Sequence, residues 1–287
     1  MRQDKIAPRA GVQRRSLLGA AALLGLGRAN AELGQVRERG SLKVAVYKAN
    51  LPFSDVGPQG AQGAEADLAK AIASKLKLGV QWLPFDAGEN MEDDLRNMVW
   101  KGHYLGFGPA DVLMQAPIDK FLIVQAKQVE FLLPYYRHQL VWLSAGKPSA
   151  EELRSMQLEG LTLAAEVSTA AGGALLGHDN GKYREAVKLL PTGLEAARGV
   201  VDGRWQAAYV TQAQAEAAIK GVAQRDQYII QKASLRGTPP NGWPVGMAIK
   251  AGQPELAKAL SNALKELQQD GTVNAIWRNH GLTLIAP

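Results

Sequence analysis

Cysteine is missing from the chain altogether. Thiolate metal sites, cysteine nucleophiles and disulfides are thereby excluded, and the fold has to be held by packing alone. Histidine is nearly as scarce: His103, His138, His178 and His280 lie far apart, and none stands in H-E-x-x-H or another short metal spacing. Neither a G-x-S-x-G elbow nor a G-x-x-x-x-G-K-[ST] phosphate loop occurs, and Gly102, Gly106 and Gly108 in GHYLGFG do not have dinucleotide spacing. Internal repeats and long low-complexity segments are absent too. The apolar run 17–27 has about half of the roughly 20 residues that a membrane span needs.

An excess of positive charge is also missing from most of the chain. The formal net charge is +6, but six of the 33 bases (Arg2, Lys5, Arg9, Arg14, Arg15, Arg28) and one of the 27 acids (Asp4) fall in residues 1–31. The remainder of the chain is nearly neutral and has no basic stripe, so nucleic acid is not an expected partner. The basic head reads as an export signal, with a charged segment, the apolar run 17–27, and Ala29-Asn30-Ala31 fitting the small-x-small cleavage rule. Cleavage is expected after Ala31, giving a periplasmic protein without membrane insertion. Arg14-Arg15-Ser16-Leu17-Leu18 also resembles a twin-arginine motif.

Apolar sequence is plentiful enough for a large core: 46% of 287 residues, suiting one large domain or two lobes. SLKVAVY (41–47) alternates like a strand, and EADLAKAIASKLKL (65–78) repeats Leu68, Ile72 and Leu76 on one face like a helix. VQWLPF, MEDDLRNMVW and ADVLMQ extend this to a repeated strand-helix-strand order, which predicts a parallel α/β sheet. LTLAAEV, VKLL, LEAARGVV, WQAAYV and TQAQAEAAIKGVA continue it. Pro254 opens a last long helix that Gly271 stops. The paired carboxylates Glu92-Asp93-Asp94 and Glu151-Glu152 fall in first turns of predicted helices, where they favour the positive end of the helix dipole. In EFLLPYYRHQLVWL (130–143), Pro134 marks a strand end, an edge or a bend. Tyr135, Tyr136 and Arg137 beside it suit a cleft rim as well as a core.

Seven segments in order, GSLKVAVYKANLPFS, EADLAKAIASKLKLGVQW, ADVLM, PYYR, GLTLAAEVSTAAGG, GRWQAAYV and the C-terminal stretch from VGMAIK to RNHG, carry a resemblance. The chain resembles the periplasmic solute-binding proteins of type 2, found with polar amino-acid ABC transporters. The resemblance implies an α/β, two-lobed fold with two strand crossovers. Lobe 1 would take 32–140 and 240–287 and lobe 2 141–239, after a cleaved signal at 1–31. PYYR looks like the end of lobe 1 at the cleft edge, and HQLVWL like the first crossing strand. The family's pocket maps onto Asn50, Phe53, Gln115, Asp119, Tyr136, Ser168, Thr169 and Thr211. Ser168 and Thr169 open a helix N-terminus, which also fits plain capping. Where amino-acid binders have a lobe-1 arginine, this chain has QAPIDKF, and Lys120 is one mobile point charge instead of a bidentate fork. The family's lobe-2 aspartate falls on neutral Thr211. A standard α-amino acid is therefore not the expected ligand.

RNMVWKGHYLGFGPADVLMQAPID (96–119), with PYYRHQLVW downstream, is similar to a subgroup associated with periplasmic quinoprotein methanol dehydrogenases. That likeness implies no catalysis and no cofactor in this chain. Its role would be that of partner or assembly factor of a PQQ-dependent methanol or alcohol dehydrogenase, with the enzyme's cytochrome c as a second contact. Trp100, His103, Tyr104 and Phe107 in the lengthened loop are the expected anchors. The alternatives are an ABC-transporter receptor for a small polar solute, and an enzyme such as a dehydratase on the same fold. For the last, Asp119 is the candidate acid or base.

Overall fold

The computed structural model describes residues 33–287, so the export signal lies outside the described residues. Two five-stranded sheets, each flanked by helices, form the body of the molecule. In chain order the first half comprises β1 Ser41–Tyr47, the hairpin β2 Asp55–Gly57 and β3 Gly60–Gln62, α1 Ala64–Lys75 and β4 Gly79–Phe85. It continues with α2 Met91–Leu95, a π-helical turn Arg96–Trp100, β5 Val112–Pro117, α3 Lys120–Gln125 and β6 Val129–His138. The second half runs β7 Leu140–Ala145, α4 Ala150–Arg154, β8 Leu163–Glu166, α5 Ala170–Gly177, β9 Val187–Leu190, α6 Gly193–Val201, β10 Ala207–Thr211, α7 Gln212–Ala218 and β11 Tyr228–Lys232. It returns through β12 Trp243–Lys250 and closes with α8 Pro254–Gln269 and α9 Thr272–Asn279.

The first sheet has the order β4-β1-β5-β12-β6 and the second β11-β7-β10-β8-β9. Strands β4, β1 and β5 are parallel, and so are β10, β8 and β9. The expected parallel sheet holds for these strands and not for the crossing ones: β12 runs antiparallel to β5 and β6, and β7 antiparallel to β10 and β11. The strands that link the two sheets arrive from the other lobe and cannot enter in the βαβ sense, which demands a helical crossover within one sheet. The chain passes from β6 to β7 at Gln139 and comes back through 233–242 into β12.

Core packing follows the apolar stripes. Leu68, Ile72 and Ala69 of α1, and Leu256, Leu260, Leu264 and Leu267 of α8, cover one face of the first sheet with Val44, Val46 and Met247. Leu95, Met98 and Val99 cover the other with Leu113 and Ala248. Each fully buried Leu or Ile contributes about 1.5–3 kcal/mol. Two prolines sit within the outer strands of this sheet, Pro84 in β4 and Pro134 in β6, where a missing N–H is tolerated, while Pro117 and Pro244 stand at or next to the ends of the inner strands β5 and β12.

Pro134 neither ends β6 nor forms a cleft rim. Its neighbours pair as Gly246↔Pro134 and Val245↔Tyr136, leaving Tyr135 as the extra residue of a bulge. In a regular strand adjacent side chains take opposite faces. Here the bulge turns Tyr135 and Tyr136 into the same core, both essentially without exposure. Their rings lie 6.0 and 5.5 Å from that of Trp277. That is the reason for PYYR: an edge-strand proline and a bulge that seats two successive tyrosines.

Candidate ligand cleft between the two lobes

A cavity of about 480 Å³ lies between the lobes. It is framed by the carboxyl ends of β1, β5, β8, β9 and β10, the end at which open α/β sheets bind ligands. Lobe 1 contributes the turn after β1 and the segment 87–94, which runs into α2; lobe 2 contributes 166–171 and the start of α7.

Of the residues expected in the pocket, Asn50, Phe53, Gln115, Ser168, Thr169 and Thr211 line this cavity. Asp119 and Tyr136 do not. Asp119 caps α3, accepting from the Phe121 and Leu122 amides at 2.9 and 3.0 Å, so its carboxylate serves the helix N-terminus. Tyr136 lies in the lobe-1 core behind Phe53, at 5.7 Å between rings. Thr169 and Thr211 are N-caps of α5 and α7, Thr211 within a capping box with Gln214. Ser168 takes left-handed backbone, φ 57°.

Gln115 is the hub of the lobe-1 wall. Its backbone is also left-handed, φ 62°, a conformation that costs a non-glycine residue about 1–2 kcal/mol. Its amide donates to the Tyr135 hydroxyl at 2.8 Å, and that hydroxyl donates to Glu65 Oε1 at 2.7 Å. Asn50 Nδ2 donates to the Gln115 side-chain carbonyl, which leaves Gln115 Nε2 facing His138 Nε2 at 3.2 Å. Glu65 is wholly buried, and desolvation pushes its carboxyl up to about 8. Burial likewise lowers His138 to about 3, keeping the ring neutral between Phe53 and Trp243, at 4.8 and 5.3 Å.

Sequence reasoning missed two carboxylates. Asp94 sits in the first turn of α2 as expected, yet it is buried and lines the cavity, accepting from the Tyr47 hydroxyl and the Gly88 amide, both at 2.8 Å. Glu166, at the end of β8, accepts from the Gly193 amide at 2.9 Å and from Gln214 Nε2 at 3.1 Å. Burial raises both carboxyl groups from their ordinary values. The signal for Glu166 was an acid ending an otherwise apolar strand, just ahead of the Ser168-Thr169 turn.

The loop 101–109 lies apart from the cavity. Trp100 and Phe107 are half-buried against the lobe-1 core, His103 stacks on Phe107 at 4.3 Å, and Tyr104 is 87% exposed. Among the described residues no group of three or more His, Asp or Glu is placed to hold a metal ion, and no helix is long and apolar enough to cross a membrane.

No protein-family model matches the chain, and no curated protein matches it. Solved structures do. An ancestral cationic amino acid solute binding protein is similar over 87% of this chain and 99% of its own, at 22% identity and a TM-score of 0.66. An ancestral arginine-binding protein bound to arginine is 25% identical over 84% of this chain and 98% of its own, with a TM-score of 0.57. An amino acid ABC transporter substrate-binding protein from Streptococcus pneumoniae, bound to L-arginine, is 18% identical over 88% and 98%, with a TM-score of 0.60. With two mixed sheets, two crossings and a cleft between them, the chain has the two-lobed α/β fold of type 2 periplasmic solute-binding proteins.

Proposed function

We propose that this protein is a periplasmic solute-binding protein whose lobes close on a small polar ligand. The cavity lined from both lobes by Asn50, Gln115, Ser168, Thr169 and Thr211 carries this reading. The ligand is not a standard amino acid. In the segment where the family carries the arginine that receives a ligand carboxylate this chain has QAPIDKF, and the described cavity lining holds no arginine to supply a guanidinium fork. A thermal-shift screen checks this. Ligand at a hundred times its Kd adds about 2.7 kcal/mol to the folded state, so a true ligand moves the melting point by several degrees. The twenty amino acids are expected to give no such shift.

A second reading, partnership with a periplasmic PQQ-dependent alcohol dehydrogenase, is favoured by one observation: Tyr104 and Leu105 stand 87% and 68% exposed on the lengthened loop. Phe107 is not available as an anchor, because it packs on the lobe-1 core. Tyr104→Ala is therefore expected to weaken such a complex by about 2 kcal/mol with no loss of melting temperature. Phe107→Ala, in contrast, is expected to lower the melting temperature. Immobilised protein against periplasmic extract from methanol-grown cells provides the measurement. Recovery of a permease, or of no dehydrogenase, would dispose of the partnership.

A further inference from the structure

We propose that the cleft takes a small organic cation without a carboxylate, an amino alcohol or short diamine, held by Asp94 from one lobe and Glu166 from the other. This rests on reading the cleft as a ligand site, and adds the chemical class. Both carboxylates line the same cavity, and each is oriented by neutral donors only: Tyr47 and Gly88 for Asp94, Gly193 and Gln214 for Glu166. Neither forms an ion pair among the described residues. Partly desolvated carboxylates without a counter-charge are unfavourable, and an ammonium between them supplies it. Both donors to Glu166 use Oε2, so Oε1 has no protein hydrogen bond among the described residues.

The cationic side of the lining is poor. Lys48 is its one Lys or Arg, and its ammonium lies 2.5 Å from Asp86 Oδ2. A ligand carboxylate would thus meet Asp94 and Glu166 with no free cation to receive it.

His138 adds an independent requirement. It is 5% exposed, lines the same cavity, and its Nδ1 has no hydrogen-bond partner among the described residues. Because Asn50 fixes the Gln115 amide with its NH2 towards His138, Nε2 must accept and the ring proton belongs on Nδ1. The neutral ring therefore carries an unsatisfied N–H donor in the cleft wall, closed to solvent in this arrangement of the lobes. An amino alcohol combines an ammonium for the carboxylates with a hydroxyl able to accept from such a donor.

The test is calorimetric titration of the purified protein with ethanolamine and 1,3-diaminopropane, beside arginine, glutarate and glycerol. One or both amines should bind, and Asp94→Asn and Glu166→Gln should each raise the Kd at least tenfold. Glu166→Gln keeps the one oxygen that accepts both protein donors, Asp94→Asn keeps one of its two acceptor oxygens, and two independent variants guard against one misfolding. Amine binding unchanged in both variants overturns the proposal. So does a response to arginine, glutarate or glycerol with the amines silent, although the cleft then stands as a ligand site. If every probe is silent and native mass spectrometry of the protein finds no co-purified small molecule, the amine class and the solute-binding reading fall together.

Discussion

Gly242→Ala is expected to destabilise the protein by about 2–5 kcal/mol and to do so at the connection between the lobes. Gly242 has φ 66°, where an L side chain is strained, and an added Cβ would stand 1.6 Å from the His138 carbonyl oxygen and 3.1 Å from Gln139 Cα. His138 ends β6 and Gln139 is the outgoing passage between the lobes, while Gly242 ends the returning one. The two passages therefore touch at a point where only hydrogen fits. Gly237 in the same returning segment is the control: its φ is 91°, but an added Cβ meets nothing within 4 Å. Gly237→Ala should lose only about 1–2 kcal/mol, from backbone strain alone. Urea unfolding of the two variants separates contact from strain, and equal midpoints for both would remove the argument for a packed double hinge.

The joint contribution of Glu65 and His138 to stability is expected to be greatest between about pH 4.5 and 6.5 and to fall on either side. Glu65 in the folded protein is pushed from its ordinary 4.5 up to about 8, so across that window the folded state holds a proton that the unfolded chain has lost. Its contribution therefore declines as pH rises. His138 is moved the other way, from 6.5 to about 3, so its contribution is complete above 6.5 and is lost as pH falls. Between 4.5 and 6.5 the two slopes oppose and cancel. Above that range, of the two, only the Glu65 contribution still changes, at up to about 1.4 kcal/mol per pH unit. Glu65→Gln still accepts from Tyr135 but carries no proton to lose, and should hold its urea midpoint between pH 6.5 and 8 while the unmodified protein declines. Parallel declines in both would show that Glu65 is not the group responsible.

The regular parts of this fold were legible because they depend on spacing. Leu68 and Ile72, or Leu256, Leu260, Leu264 and Leu267, announce a buried helical face without reference to anything distant. The cleft was legible in part: Asn50, Phe53, Gln115, Ser168, Thr169 and Thr211 line it, and the likeness to binding proteins pointed to them. The rest escaped because it depends on partners remote in sequence. Asp94 reads as a helix-dipole acid until Tyr47, 47 residues away, is seen donating to it. Glu166 gains its role from Gln214, 48 residues on. Tyr136 is misplaced into the cleft because sequence gives strand alternation but not a bulge, which depends on the register with β12. Asp119 is misplaced there because its use as a cap of a six-residue helix depends on where that helix begins.

The placement of Pro84 and Pro134 bears on association between molecules. The outermost strands of a sheet offer unpaired amides and carbonyls to any extended chain, and a long flat edge invites polymerisation. In β6 that invitation is withdrawn residue by residue. Pro134 has no amide to give, its carbonyl accepts from Gln268 Nε2, and the bulge at Tyr135 throws off the register an intruder would need. One step further, the Arg137 amide is taken by the Ile285 carbonyl of the C-terminal segment. With Pro84 interrupting β4 at the opposite margin, neither border of the lobe-1 sheet presents an unbroken ladder. The chain has no disulfide to hold it during folding, and these two borders give it resistance to strand-swapped aggregation while the sheet is still uncovered.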